Sequence, residues 1–166
     1  MAYEFDLIKV DQRGRVATVA TDNPPVNAIT LALLAELDAL SVALKADPDL
    51  TVVMMRSADP DFFLAHFDVA AILDRPINSE PQRQVQLKPF HAMCERFSTI
   101  DKVIIAQTEG RVSGGGSELS AAFDMRFGVR GKIRIHQMEA PLGILPARTC
   151  NASWKSAVRP VMASCA

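Results

Sequence analysis

The sequence has little of what staples, anchors or marks a chain. Its three cysteines, Cys94, Cys150 and Cys165, are too few and too irregular for a disulfide framework or a CxxC metal site. A reducing compartment, the cytoplasm, is therefore expected. No apolar run reaches the roughly 18 residues of a membrane span. The opening Met1-Ala2-Tyr3-Glu4-Phe5-Asp6 carries acids where a signal peptide needs an apolar stretch. The phosphate-binding pattern GxxxxGK[ST] and the dinucleotide fingerprint GxGxxG are both missing. Low-complexity segments are absent too. What remains fits one globular domain of ordinary size: 166 residues, 49% hydrophobic and 22% charged, a balance that argues against disorder.

A net charge of -1 conceals an asymmetry. Residues 1–123 hold 11 Lys/Arg against 17 Asp/Glu, and residues 124–166 hold 7 against 2. A basic end is compatible with an anionic ligand, with nucleic acid, or with no partner.

Periodicity divides the chain into alternating strands and helices. Phe5–Val10 and Arg15–Ala20 read as a hairpin around Gln12-Arg13-Gly14, stopped by Asp22-Asn23-Pro24-Pro25. Asn27 or Thr30 can cap a helix over about 30–46, in which Leu33, Leu37, Leu40 and Leu44 form one stripe. Thr51–Arg56 is apolar on both faces and reads as a buried strand, followed by a turn at Ala58-Asp59-Pro60-Asp61. Asp68–Leu73 reads as a short helix, Pro76–Pro81 as a loop, and Gln82–Ile100 as a longer helix that Pro89 kinks or starts. Val103–Thr108 is a second apolar strand. Gly114-Gly115-Gly116 leads into a helix over about Ser117–Phe123. Met125–Val129 and Lys132–Ile135 read as strands joined at Arg130-Gly131. Such alternation points to an α/β protein.

The segment 105–124 holds the chemistry. Three glycines between a strand and a helix let a ligand approach the backbone closely. The unpaired N–H groups of the helix start suit an anion or a developing oxyanion, although a tight turn needing small residues explains the same glycines. Glu118 lies just after them, and a second acid, Glu139, follows His136-Gln137-Met138. Two acids facing one pocket can divide general acid and base roles. A dipole partner in the first helical turn is the commoner use of a residue like Glu118. Ser113 and Ser117 form no Gly-x-Ser-x-Gly elbow and read as small turn residues. His91 and Cys94 read as packing or surface residues, and the sequon Asn151-Ala152-Ser153 as idle.

Four stretches, in order, make the chain resemble the crotonase superfamily, the enoyl-CoA hydratase/isomerase group. Val16–Val19 with Pro24-Pro25-Val26-Asn27-Ala28 is similar to its opening strand and P-x-x-N-A turn. Phe62-Phe63-Leu64-Ala65-His66-Phe67-Asp68 resembles F-x-A-G-x-D. Glu109-Gly110 through Gly114-Gly115-Gly116-Ser117-Glu118-Leu119, on to Asp124, resembles N-G-x-x-x-G-G-G-x-E-L…D. Gln137-Met138-Glu139 with Leu142-Gly143-Ile144-Leu145-Pro146 resembles G-Q-P-E…L-G-I-x-P.

The resemblance implies an α/β spiral of ββα units. It also implies hydration of a 2-enoyl-CoA to a 3-hydroxyacyl-CoA by a lyase of fatty-acid metabolism. Backbone N–H groups of Phe67 and Gly115 would form an oxyanion hole, and Glu118 and Glu139 would be the acid/base pair. Ala65, His66, Asp68, Gly114 and Gly116 would border the substrate. Neither a metal nor a redox cofactor is implied; coenzyme A enters as the thioester substrate. The expected partners are that acyl-CoA and further copies of the chain, a trimer or hexamer, with no nucleic acid and no membrane. Enoyl-CoA isomerisation through one glutamate is the alternative activity. A catalytically impaired fragment that binds acyl-CoA is the alternative of another class.

Three departures bear on the site. His66 stands where the family has glycine; it is expected to point away and pack, with action on substrate as the alternative. His136 and Met138 replace glycine and proline, and the Glu118–Glu139 spacing is about one residue longer than the family pattern, so the second carboxylate is expected to shift. After Pro146 the family's glycine-rich continuation is missing. Residues 1–146 are thus read as a crotonase-like core, truncated after the catalytic residues. Residues 147–166 are read as an atypical tail, disordered or frameshifted. Arg126, Arg130, Lys132 and Arg134 lie inside the core, near CoA phosphates or on solvated strand faces. Arg148, Lys155 and Arg159 belong to the tail.

Overall fold

A computed structural model describes residues 3–73 and 87–139. The expected loop 76–81, residues 82–86 of the expected longer helix, the Leu142–Pro146 stretch, Cys150, Cys165, the sequon and the tail 147–166 lie outside the described residues. The elements are β1 (Ile8–Arg13), β2 (Val16–Thr21), α1 (Leu31–Ala46), β3 (Val52–Ser57), β4 (Phe62–Leu64), α2 (Val69–Leu73), α3 (Pro89–Thr99), β5 (Val103–Thr108), β6 (Arg111–Ser113), α4 (Gly115–Ala121), β7 (Met125–Gly128) and β8 (Arg134–His136).

Two sheets share these strands. One has the order β1-β2-β3-β5-β7, the other β4-β6-β8. Among the described residues only the β1–β2 pair is antiparallel, and the other strand pairings are parallel. From β3 onward each pair of consecutive strands sends its first member to the large sheet and its second to the small one. Each ββ unit therefore advances the chain one place in both sheets, the α/β spiral that the motifs imply. Met125–Gly128 and Arg134–His136 accordingly end in different sheets rather than pairing with each other.

Registry places the core. Ala17, Val53 and Ile104 align across β2, β3 and β5, as do Val19, Met55 and Ala106, and all six are buried. The other side of the same strands is more open: Val52 and Met54 are half-buried, and Val16 and Val103 exposed. The expectation of a β3 buried on both faces is therefore corrected. Among the described residues its second face is only partly covered, so its apolar residues alternate in burial.

The leucine stripe of α1 is fully buried, and burying each such side chain stabilises by about 1.5–3 kcal/mol. Thr30 starts the helix, its Oγ1 accepting from the Leu33 N–H at 3.2 Å. α1 packs on α3, where Arg96 donates to Asp38 Oδ1 at 2.7 Å and to Ser41 Oγ at 2.6 Å. Pro89 occupies the first turn of α3, where its missing N–H costs nothing; it starts the described helix rather than kinking it.

The hairpin turn falls at Gly14-Arg15, not over Gln12–Gly14. Gln12 and Arg13 pair with Ala17 and Val16; they sit on an edge strand whose outer face tolerates polar residues.

Candidate active site

The small parallel sheet positions the site. The carboxyl ends of β4, β6 and β8 lead directly into Ala65–Asp68, Gly114–Glu118 and Gln137–Glu139, and such ends are where parallel sheets gather ligand groups.

The first segment is held by the turn before α1. The Ile29 N–H donates to the His66 carbonyl at 2.8 Å, and the Asp68 N–H donates to the Ile29 carbonyl at 3.0 Å. These two bonds form a parallel bridge between Ile29 and Phe67. They turn the N–H of Phe67 itself to the opposite side. The Ala65 N–H donates to the Asn27 carbonyl at 3.3 Å. Asn27 organises this corner. It is buried, with φ of 54°, a conformation Asn tolerates better than most residues. Its Nδ2 lies 2.6 Å from Ser57 Oγ, 3.0 Å from Thr21 Oγ1 and 3.1 Å from the Phe63 carbonyl oxygen. One side chain thereby joins β2, β3 and β4. Thr30 is the helix cap; Asn27 has this different role.

The second segment is α4, which begins at Gly115 rather than Ser117. Two of the three glycines are helical, so they serve close packing rather than a loop. A methyl on Gly116 would meet the Leu64 carbonyl oxygen at 2.2 Å. Gly116 is thus pressed on β4. Gly114 has φ of 46°, which an L side chain rarely adopts. The Cβ position of Gly115 lies 3.3 Å from Phe67 Cβ and 3.5 Å from the Phe67 nitrogen. The start of α4 therefore faces the Phe67 N–H side. At the far end, the Arg126 guanidinium donates to the carbonyls of Ser120 at 2.9 Å and Phe123 at 2.7 Å. Asp124 Oδ2 accepts the Ile104 N–H at 2.8 Å.

The third segment brings the acids together. Gln137 was not singled out by sequence reasoning. Its Nε2 donates to Glu139 Oε2 and lies 3.5 Å from Glu118 Oε1. Its Oε1 accepts from the Ser117 hydroxyl at 2.6 Å, with the Gly114 carbonyl as that hydroxyl's other acceptor at 2.8 Å. Glu118 is buried and Glu139 half-buried. Glu139 Oε1 comes within 3.3 Å of the Cβ position of Gly114. The substitutions around Glu139 and the longer spacing do not take it away from Glu118. The one available signal was the Gln-x-Glu spacing just past a strand; Met138 and Glu139 lie in a turn, so strand alternation does not reach them.

The remaining sequence-predicted residues divide. Ala65 is buried beside Asn27. Asp68 turns to its own helix, accepting the Ala70 N–H at 2.9 Å. His66 is corrected: it does not pack away but is exposed. Its Nδ1 lies 2.8 Å from the Phe67 carbonyl oxygen, which can only accept, so Nδ1 carries a proton. His91 is half-buried, its imidazole pushed below its ordinary pKa by burial and by Lys88. Cys94 is in the core. Among the described residues no group of three or more His, Cys, Asp or Glu could hold a metal, and no helix is long and apolar enough to cross a membrane.

Comparison with known proteins agrees with this architecture. The family model described as enoyl-CoA hydratase/isomerase matches residues 11–164. The carnitinyl-CoA dehydratase of Proteus mirabilis is 31% identical over 134 residues, covering 81% of this chain and 49% of that protein. The short-chain-enoyl-CoA hydratase of Clostridium acetobutylicum is 26% identical over 144 residues, covering 86% and 54%. The chain spans about half the length of the curated relatives it matches. Among solved structures, an enoyl-CoA hydratase from Bacillus anthracis superposes with a TM-score of 0.75 at 25% identity, over 86% of this chain and 54% of that one. DspI of Pseudomonas aeruginosa superposes with a TM-score of 0.79 at 24% identity over 94% and 59%, a likeness of fold alone. By its family match and its spiral of ββ units, the chain belongs to the enoyl-CoA hydratase/isomerase family of the crotonase superfamily.

Proposed function

We propose that the site adds water to a 2-enoyl-CoA to give a 3-hydroxyacyl-CoA. The observation that carries this reading is the Gln137 amide reaching both Glu118 and Glu139, beside the facing backbone of Phe67 and Gly115. The thioester oxygen accepts from the N–H groups of Phe67 and Gly115. One glutamate takes a proton from water as its oxygen bonds to the β carbon. The double-bond electrons move through the α carbon onto the thioester oxygen. The other glutamate returns a proton to the α carbon, and the carbonyl re-forms. Two N–H donors fixed before the charge develops need no reorganisation, which makes such a hole effective. A carnitinyl-CoA dehydratase and a short-chain-enoyl-CoA hydratase among the relatives support a CoA thioester and water addition or loss at this site.

The test is hydration of crotonyl-CoA by the purified chain, followed by loss of the enoyl absorbance, beside calorimetric binding of CoA. Glu118→Gln and Glu139→Gln are each expected to lower kcat about 10²–10⁴-fold. Dependence on one glutamate alone would transfer the reading to double-bond isomerisation. Binding without turnover in the unaltered chain would reduce it to an acyl-CoA-binding fragment.

A further inference from the structure

One side of the small sheet carries exposed basic residues away from the two glutamates. On it Phe62, Arg111 and Arg134 lie in register across β4, β6 and β8, followed by the Ser113 and His136 pair. With Val26, Ala65 and His66 these residues line a cleft of about 560 Å³. Arg111 and Arg134 are both exposed and directly paired, with Cα atoms about 4.8 Å apart as in any sheet. Like charges placed opposite one another destabilise a sheet. Among the described residues no carboxylate forms an ion pair with either guanidinium. Asp61 and Glu109 line an adjoining depression together with Lys132, and Arg111 and Arg134 border that depression too, so the two carboxylates balance only part of the three positive charges on this face. Arg111 is held over the Phe62 ring, 5.6 Å from its centroid, which fixes one guanidinium plane without using its donors. The side chains of His66 and His136 stand on the same wall.

We infer that this cleft binds a multiply charged phosphate-class oxyanion, gripped between Arg111 and Arg134. Two guanidinium forks side by side match the several acceptor oxygens of such a group. An anion there also relieves the repulsion between them. The inference stands on the charge of this face and does not need turnover at the glutamates. The oxyanion has two sources, a free phosphate or diphosphate and the phosphates of coenzyme A.

The experiment is calorimetric titration of the whole chain with inorganic pyrophosphate and, separately, with CoA. The variants are Arg111→Gln/Arg134→Gln and, to keep charge and limit the loss of packing on Phe62, Arg111→Lys; circular dichroism checks folding. The double variant is expected to bind pyrophosphate at least about tenfold more weakly, and Arg111→Lys to lie between it and the parent. A parallel loss of CoA affinity would assign the site to the phosphates of CoA. Unchanged CoA affinity would assign it to a free phosphate-class ligand. Equal pyrophosphate affinity in the parent and in the folded Arg111→Lys chain and double variant, or no pyrophosphate binding by the parent, would overturn the inference.

Discussion

Adjacent glycines of α4 should respond to the same added methyl in opposite ways. In Gly116→Ala the methyl meets the Leu64 carbonyl oxygen at 2.2 Å and Leu64 Cβ at 2.7 Å. Neither is the flexible end of a side chain, so α4 and β4 must part. Overpacking of this kind costs about 3 kcal/mol or more. In Gly115→Ala the nearest atom is Phe67 Cβ at 3.3 Å, a contact relieved by a small shift. Alanine is also about 1 kcal/mol better than glycine within a helix, so the net change in stability should be under about 1 kcal/mol. The same methyl, however, stands 3.5 Å from the Phe67 nitrogen. A thioester oxygen accepting from that N–H at about 2.9 Å needs this space. Loss of one oxyanion donor lowers kcat about 10²–10³-fold. Thermal unfolding and crotonyl-CoA kinetics on both variants separate the effects. Gly116→Ala should lose stability, and Gly115→Ala should keep its Tm and lose kcat. A folded Gly115→Ala enzyme with kcat within about threefold of the parent would refute the oxyanion assignment.

Gln137→Leu removes the amide that reaches both carboxylates, and kcat should fall about ten- to hundredfold with an altered pH profile; an unchanged profile would make Gln137 a packing residue. Asn27→Ala leaves buried carbonyls of the β2–β4 corner without their donor and should cost about 3 kcal/mol in urea unfolding. Arg126→Ala uncovers the last carbonyls of α4 and should cost about 1–2 kcal/mol by the same measurement. The Tyr3 hydroxyl donates to Asp47 Oδ2 at 2.8 Å; that bond, with the Asp49 N–H, holds the Asp47 carboxyl below its usual pKa. A lowered pKa stabilises above the unfolded value and is lost as pH falls through the folded one. Tyr3→Phe should therefore be less stable at neutral pH, with the gap closing below about pH 4 in thermal scans; a constant gap would contradict the linkage.

Long elements were legible because their patterns have room to repeat. Four leucines across 12 residues of α1 define one face, and Val103–Thr108 matches its strand end to end. The three-residue strands β4 and β6 are too short to show a period; of the small sheet only β8 has a counterpart in the sequence, the strand expected at Lys132–Ile135. The glycine run was visible, but its use was not. Close approach to Leu64 is a tertiary fact, and a helix beginning at glycine defeats propensity. Asn27 looked like a cap because Asn is a common cap. Its side-chain partners are 4 to 36 residues away. Gln137 escaped because a neutral amide signals no acid–base chemistry; its importance lies in what it touches.

The path from β7 to β8 has a consequence for chain length. Between Gly128 and Arg134 the backbone turns on itself, with Lys132 and Ile133 N–H groups donating to the Val129 carbonyl at 3.1 Å and Gly131 at φ of 80°. Beyond it, β8 is registered on β6, Val112 against Ile135 and Ser113 against His136. The strand pairing, not the count of residues before it, therefore sets where Glu139 emerges. An added residue is taken up as slack at the surface, where lengthening a loop carries only a small entropic cost. The 129–133 turn is thus a length buffer: the distance along the chain between the two acids can drift over generations while their distance in space does not.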